Sequence, residues 1–188
     1  MDFKEDIKKY IEAEQKVVES LNLDELNAGL CEIVEAYNRE GTIYIFGNGG
    51  SASTASHFVN DFNKGVSEKL EKKFKFVCLN DNVSTLMAVA NDIGYEEVFR
   101  FQLLNKLEKK DLVIGISGSG NSANVVNALS YAKECGVRTL GLTGYSGGKV
   151  RNMVDVSMHV PVDNMQVTED LHMMFDHMMM SVLKEKLK

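Results

Sequence analysis

Short runs of β-branched and other apolar residues alternate with helix-compatible segments through most of this chain. Five such runs follow one another in the sequence: Thr42–Phe46, Phe74–Leu79, Leu112–Ile116, Thr139–Thr143 and Val156–Val160. Helix-compatible segments lie between and after them, to about residue 63 and at about 83–91, 95–109, 122–135, 147–153 and 166–187. Strands that are spaced by helices in this way pair in parallel, and helices cover both faces of the sheet. The alternation therefore predicts an α/β fold.

The first 40 residues predict a helical hairpin. Apolar residues recur at helical spacing in a first helix, at Phe3, Ile7, Tyr10, Ile11 and Val18, and in a second, at Leu23, Leu26, Leu30, Ile33, Val34 and Tyr37. The apolar face of this hairpin is wider than one small sheet can cover. It forms either a helical layer on the domain or an interface with another copy of the chain. We expect a single domain over residues 1–188, with the hairpin at 1–40 and an α/β core at 41–188.

Composition limits the class of protein. The chain has 188 residues, 44% of them hydrophobic, which is enough for one domain with a buried core. Its net charge of −6 argues against nucleic acid as a partner. No apolar run approaches the roughly 20 residues of a membrane span, so we expect no membrane partner. The charged N-terminus is not typical of a signal peptide. Three cysteines without metal-type spacing favour reduced thiols in the cytoplasm.

Glycines and hydroxyls follow the first and third apolar runs. The first run leads into GNGGSAST, at residues 47–54, and the third leads into SGSGNS, at residues 117–122. Ligands of parallel sheets bind beyond the carboxyl ends of the strands, and a helix N-terminus there can hold a phosphate. A helix cap would explain one serine of SGSGNS but not three. Both loops therefore favour phosphate binding.

The first loop does not match the known nucleotide-binding motifs. The dinucleotide motif G-x-G-x-x-G needs a third glycine where Ala52 stands, and no G-K-[ST] follows as in a P-loop. The sequence therefore predicts a small phosphorylated metabolite as ligand, and no nucleotide cofactor.

Titratable residues cluster in two of the predicted helices. His57 and Asp61 are four residues apart and share one helix face, a spacing usable for metal binding or acid–base chemistry. The last helix carries TEDLHMMFDH, with Glu169, Asp170, His172, Asp176 and His177. A single histidine of this kind is more often structural than functional. The occurrence of these histidines and carboxylates together with a phosphate-binding loop favours a functional site.

Taken together, these motifs resemble those of the SIS (sugar isomerase) domain family, and within it the phosphoheptose isomerases. The resemblance covers the whole chain and rests on GNGGSAS, HF, ANDIGY, GISGSGNSANV, LTGYSGGK and the E-D-x-H…H helix. It implies a three-layer αβα fold with a five-stranded, parallel, flavodoxin-like sheet. It also implies a homotetramer that packs through the N-terminal and C-terminal helices, with sites between subunits. Members convert sedoheptulose 7-phosphate to D-glycero-D-manno-heptose 7-phosphate for bacterial surface heptose, as in lipopolysaccharide or capsule.

The resemblance also implies roles for individual residues. The phosphate would be held by serines of the third loop, and Asp92 would contact sugar hydroxyls. The residues expected to bind substrate are Asn48, Gly49, Gly50, Ser51, Asp92, Ser117, Gly118, Ser119, Ser122 and Gln166.

Four further residues stand at positions that bind zinc in some family members: His57, Asp61, Glu169 and His177. The chain departs from the family here, because Asp61 replaces a glutamate and Glu169 replaces a glutamine. The resulting set of two histidines and two carboxylates suits a divalent metal such as Zn²⁺. Other departures are Gly118 for a threonine, Gln166 for an aspartate, and Asn63-Lys64-Gly65 for T-G-R.

Aldose–ketose isomerisation needs a base and an acid that act through an enediol. We expect Asp61 or Glu169 to be the base and His177 the acid. Two alternatives stay open: an SIS isomerase of another sugar phosphate, and a non-catalytic SIS protein that binds a sugar phosphate or a protein, of the replication-initiator-associating type. Acid, base or ligand types at all four positions favour an enzyme.

Overall fold

The computed structural model describes residues 1–187. Its centre is a sheet of five parallel strands, which are β1 (Ile43–Gly47), β2 (Phe76–Cys78), β3 (Leu112–Ser117), β4 (Arg138–Thr143) and β5 (Val156–His159). Their order across the sheet is β2-β1-β3-β4-β5. The chain runs outward from β1 to β2 and then returns to the other side of β1 as β3. The loops after β1 and β3 therefore flank the point where the strand order reverses, which is where open α/β sheets bind ligands.

Eight α-helices surround the sheet: α1 (Lys4–Glu19), α2 (Leu23–Asn38), α3 (Gly50–Asn60), α4 (Val83–Asp92), α5 (Arg100–Leu103), α6 (Ala123–Glu134), α7 (Gly148–Met153) and α8 (Met165–Lys186). Asparagine side chains begin three of them. Asn22 accepts from two N–H groups of α2, Asn82 from one of α4 and Asn164 from one of α8. Such caps satisfy amides that have no partner within the helix, and they fix where each helix starts.

Alternate strand residues enter two separate cores. Ile45 and Ile114 point into a core shared with α2, α3 and α8. Phe46 and Val113 point to the opposite face, into a core with α6 and α7. This period of two is that of a strand buried on both faces. The predicted three-layer αβα architecture and five-stranded parallel sheet are thereby confirmed.

The structure corrects one helical prediction. The segment 95–109 is not one helix but a 3₁₀ turn at Tyr95–Glu97 followed by the single turn of α5. Asn105 has a φ of 58°, a left-handed conformation that asparagine tolerates and that an α-helix cannot contain. The chain therefore turns there and enters β3 after a loop.

A π-helix, Asp61–Val66, continues α3 directly and is followed by a 3₁₀ turn, Ser67–Lys69. The helical segment predicted to end near residue 63 is thus longer than expected and changes its hydrogen-bonding pattern at Asp61. π-helical turns are rare and are frequent at functional sites.

The two helices of the hairpin differ in burial. α2 buries Leu26, Ile33 and Ala36 in the core, so it is a layer of the domain. α1 has no buried residue, and Phe3 and Ile7 on its apolar stripe remain more than half exposed. The layer interpretation therefore holds for α2. For α1, the interface interpretation stays a prediction.

Among residues 1–187, no helix combines the length and the apolar character needed to cross a bilayer.

Candidate active site

The turn after β1 is fixed by side-chain amides. Asn48 and Asn124, at the start of α6, donate to each other's side-chain oxygens over 2.9 Å in both directions. The Tyr95 hydroxyl donates to the same Asn48 oxygen over 2.8 Å. Gly49 takes a positive φ of 55°, which glycine adopts without steric cost. The segments around residues 48, 95 and 124 are therefore brought together at one edge of the sheet.

The serine turn, Ser117–Ser122, follows β3 at this edge. The Oγ atoms of Ser117 and Ser122 lie 3.1 Å apart, and Ser119 Oγ accepts from the Asn121 N–H. Ser122 occupies the N-cap position of α6, yet its side chain caps no N–H group of that helix. Capping therefore does not account for Ser122. The positive end of α6 and the serine hydroxyls are together suited to an anion such as phosphate.

A second turn supports the serine turn from behind. Gly120 has a φ of +66°, and a Cβ atom built there would lie 1.9 Å from the Gly147 carbonyl oxygen. Val150 N–H donates to the Gly120 carbonyl over 2.9 Å, and Gly144 N–H donates to Gly118 over 2.8 Å. The backbone thus holds the serine turn in shape before any ligand arrives.

Other predicted substrate residues surround this edge with different exposure. Ser51 is buried in the first turn of α3, and Gly118 is buried beneath Met165, whose sulfur would lie 2.8 Å from an added Cβ. Asp92 and Gln166 are exposed, and Asp92 accepts from the Asn91 amide. Within the described residues, neither Asp92 nor Gln166 hydrogen-bonds to the serine turn.

The histidine–carboxylate cluster consists of His57, Asp61, Asp176 and His177. One ligand atom from each lies within 4.8 Å of the others. His57 Nε2 is 3.2 Å from His177 Nε2, 3.6 Å from Asp61 Oδ2 and 4.0 Å from Asp176 Oδ2. α3 contributes His57, the first residue of the π-helix contributes Asp61, and α8 contributes the other two.

These distances fit a tetrahedral metal site. Zn–N and Zn–O bonds of about 2.0–2.2 Å place the ligand atoms of a tetrahedron about 3.3–3.6 Å apart. Two of the three distances from His57 Nε2 are within 0.1 Å of this range, and the Asp176 oxygen needs only a small movement. The donor set of two imidazoles and two carboxylates is one that zinc accepts.

Asp176 is the unsatisfied member of the cluster. Its side chain is 0% exposed, and neither carboxylate oxygen has a hydrogen-bond partner. Burial and, to a smaller extent, the nearby Asp61 carboxylate raise the pKa of Asp176 to about 8. Burying a carboxylate without a partner is costly. A cation between these four side chains would remove that cost, so the residues fit a divalent metal.

Glu169, which the sequence predicts as a member of this set, is not one of the four side chains that converge in the cluster. Its carboxylate occupies the space beside Gly50, where an added Cβ would be 2.3 Å from Glu169 Oε2. Gly50 is the first residue of α3, so Glu169 faces the positive end of that helix. Sequence reasoning noted Asp176 but gave it no role. The available signal was an acidic residue within the otherwise apolar stretch around FDHMMM.

His172 is a second buried titratable residue on α8. It is 1% exposed, and neither ring nitrogen has a hydrogen-bond partner. Burial lowers its pKa to about 4, so the ring is neutral at pH 7. His172 is not part of the cluster.

Comparison with known protein families supports the family resemblance of the sequence motifs. Residues 6–144 match the SIS domain family. The chain belongs to this family. This span is most of the chain, and it includes β1 to β4 and the turns after β1 and β3.

Individual relatives show to which group of SIS proteins the chain is similar. A probable phosphoheptose isomerase from Thermoplasma volcanium is 38% identical over 178 residues, covering 95% of this chain and 90% of the relative. A phosphoheptose isomerase from Helicobacter pylori is 40% identical over 169 residues, covering 89% and 86%. These similarities place the chain within the phosphoheptose isomerase group.

The same group appears among solved structures. The structure of a phosphoheptose isomerase from Neisseria gonorrhoeae superposes with a TM-score of 0.89 at 27% identity. It covers 98% of this chain and 100% of that one. The likeness in fold therefore extends over the sheet and the N-terminal hairpin.

Proposed function

We propose that this chain is an aldose–ketose isomerase that interconverts sedoheptulose 7-phosphate and D-glycero-D-manno-heptose 7-phosphate. The observation that carries the proposal is the position of α3. Its N-terminus lies at the sheet edge with the serine turn, and its C-terminal half carries His57 of the cluster. Gly50 and His57 are seven positions apart in the helix, a rise of about 10 Å. A phosphate bound at the edge would leave the rest of the sugar free to extend toward the histidines.

The serine turn supports recognition of the phosphate. Ser117 and Ser122 hydroxyls and the unblocked N-terminus of α6 would donate to phosphate oxygens. Ser119 would add a third hydroxyl from the same turn. Hydrogen bonds to a charged group are worth about 1.5–3 kcal/mol each, so this turn would supply much of the substrate affinity.

The base is Asp61 or Glu169, and the two lie in different surroundings. Asp61 is 7% exposed and faces into the cluster beside His177, whereas Glu169 is only partly buried and lies at the edge beside Gly50. In the forward direction, the base would take a proton from C1 of the ketose and return it to C2 of the enediol. General-base catalysis of this kind contributes about 10²–10⁴-fold.

His177 is the candidate for the acid. Its residue is exposed, and its Nε2 faces His57, which leaves Nδ1 to exchange a proton with substrate. It would protonate the carbonyl oxygen O2 as the enediol forms and recover a proton from O1 as the aldehyde forms.

A divalent metal, with zinc as the leading candidate, belongs to the same proposal. His57, Asp61 and His177 would hold it. Bound there, it would polarise the substrate carbonyl or anchor the side chains around it.

Self-association is also proposed. Phe3, Ile7 and Ile11 form an apolar stripe on α1 that the single chain does not bury. Exposed apolar stripes of this length mark interaction surfaces, and we expect this one to pack against further copies in a tetramer. Purified protein should therefore elute at a multiple of 20.9 kDa. Three free cysteines fit action in the cytoplasm.

The test is a coupled isomerase assay with three substrates. Sedoheptulose 7-phosphate should be turned over, fructose 6-phosphate much more slowly, and unphosphorylated sedoheptulose hardly at all. Faster turnover of the six-carbon ketose would move the assignment to another sugar phosphate. No turnover of any phosphate ester, together with tight binding of one, would favour a non-catalytic SIS protein.

A further inference from the structure

We propose that Asp176 is the fourth ligand of a divalent metal held by His57, Asp61 and His177, and that Glu169 is not a ligand. This inference rests on the metal-binding part of the proposed function and not on the sugar. It assigns the cation to one chain, between α3 with its π-helical continuation and α8.

The first argument is geometric. His57 and Asp61 are one helical turn apart, and Asp176 and His177 are adjacent on α8. The two pairs meet so that all four ligand atoms lie within 4.8 Å of one another. The Glu169 carboxylate instead lies at Gly50, the other end of α3 from the cluster.

The second argument concerns the buried polar atoms of Asp176. Both of its carboxylate oxygens lack a hydrogen-bond partner, and the side chain is 0% exposed. Asp61 Oδ1 accepts from the Asn60 amide, so Asp61 has a local partner and Asp176 has none. Buried polar groups are nearly always paired, and a metal is a partner of the right charge for this one.

The third argument is charge balance. Two carboxylates and two neutral imidazoles offset the charge of a dication, and both carboxylates are buried, where an unbalanced charge is costly. With Glu169 added as a fifth ligand, the site would carry a net negative charge. A set of two histidines and two aspartates needs no contribution from Glu169.

The fourth argument is local structure. Asp61 is the first residue of the π-helix that continues α3, and π-helical turns are frequent at functional sites. The change of helix type at residue 61 therefore coincides with the cluster.

The experiment compares Asp176→Asn, Glu169→Gln and a matched control on the same helix, Asp170→Asn. Each full-length protein is freed of metal with a chelator and titrated with Zn²⁺ and with Co²⁺. Wild type, Glu169→Gln and Asp170→Asn should bind one equivalent per chain with affinities within about threefold of one another. Asp176→Asn should bind Zn²⁺ at least about 100-fold more weakly. Loss of a residue that only hydrogen-bonds to a metal ligand typically weakens metal binding by about 10–100-fold. The Co²⁺ form of Asp176→Asn should also lose the strong visible absorption of a tetrahedral site.

Thermal unfolding separates ligation from a structural role. Without metal, Asp176→Asn should melt at or above the wild-type temperature, because it removes a buried, unpaired carboxyl. With excess Zn²⁺, only wild type and the two other variants should gain stability. A purely structural Asp176 would lower the melting temperature in both conditions.

The result that overturns the inference is loss of metal from Glu169→Gln with retention in Asp176→Asn, or no stoichiometric metal in wild type. The Glu169→Gln arm remains decisive if Asp176→Asn does not fold. Loss of metal from Asp176→Asn in a protein that does not isomerise sedoheptulose 7-phosphate would support the ligand assignment and reject the proposed substrate.

Discussion

The serine turn and the histidine–carboxylate cluster differ in how far their polar groups are paired within the chain. In the serine turn, hydroxyls and backbone groups find partners among near neighbours, and the Gly147 turn holds the loop in place. In the cluster, Asp176 has no partner and the His57 and His177 rings face each other at 3.2 Å. The serine turn therefore has its shape and its hydrogen bonds without a ligand. The cluster contains a buried carboxylate whose charge is balanced only when a cation or a proton binds.

The largest effect should come from the cluster. His177→Ala should lower kcat by about 10²–10⁴-fold, because it removes the acid. The Kd for sedoheptulose 7-phosphate should stay within about threefold, since the serine turn is untouched. Steady-state kinetics and calorimetric titration measure the two quantities. A His177→Ala variant with the wild-type kcat would show that His177 is not the acid.

Buried His172 should affect the pH dependence of folding stability, and it should do so without any cation. Its pKa is about 4 in the folded protein and near 6.5 in the unfolded chain. As the pH falls from 6.5 to 4, the unfolded chain takes up a proton that the folded protein does not. Folding stability should therefore drop by about 3 kcal/mol over this range. Urea unfolding of wild type and His172→Leu should differ in this slope, and equal slopes would contradict the buried neutral ring.

Glycines give a matched pair for the serine turn. Gly120 and Gly136 both have positive φ, but an added Cβ meets the Gly147 carbonyl at Gly120 and nothing within 4 Å at Gly136. Gly136→Ala should cost about 1 kcal/mol of stability from backbone strain alone. Gly120→Ala should cost at least about twice that and weaken sugar-phosphate binding. Equal losses in urea unfolding would mean that the second turn does not support the first.

The smallest effect should follow loss of one hydroxyl. Ser122→Ala should raise the KM for sedoheptulose 7-phosphate about tenfold, because one hydrogen bond to a charged group is lost. The stability should barely change, since Ser122 caps no N–H group of α6. A large fall in melting temperature with unchanged KM would identify Ser122 as a structural residue instead.

Much of the fold was predictable because its signals are local. Each of the five strands lies within two residues of its predicted bounds, since parallel central strands are nearly continuous apolar runs. The break at Asn105 was not predictable, because only its left-handed conformation distinguishes that segment from a helix.

The candidate site divides in the same way. The serine turn could be recognised because glycines and hydroxyls follow the strand directly in sequence. His57 and His177 are 120 residues apart, and only packing of α3 on α8 decides which carboxylate joins them. Helical spacing relates Glu169 to His177 but does not reveal that Glu169 faces Gly50 and that Asp176 is buried.

The most direct test of the account is proton exchange during turnover. Sedoheptulose 7-phosphate is incubated with the protein in D₂O and followed by NMR. An acid–base enediol mechanism predicts deuterium at C1 of the recovered ketose or at C2 of the heptose product, and either Asp61→Asn or Glu169→Gln should abolish the exchange, which identifies the base. Product formation with no solvent deuterium at either carbon, or unchanged exchange in both variants, would contradict proton transfer by a carboxylate of this site.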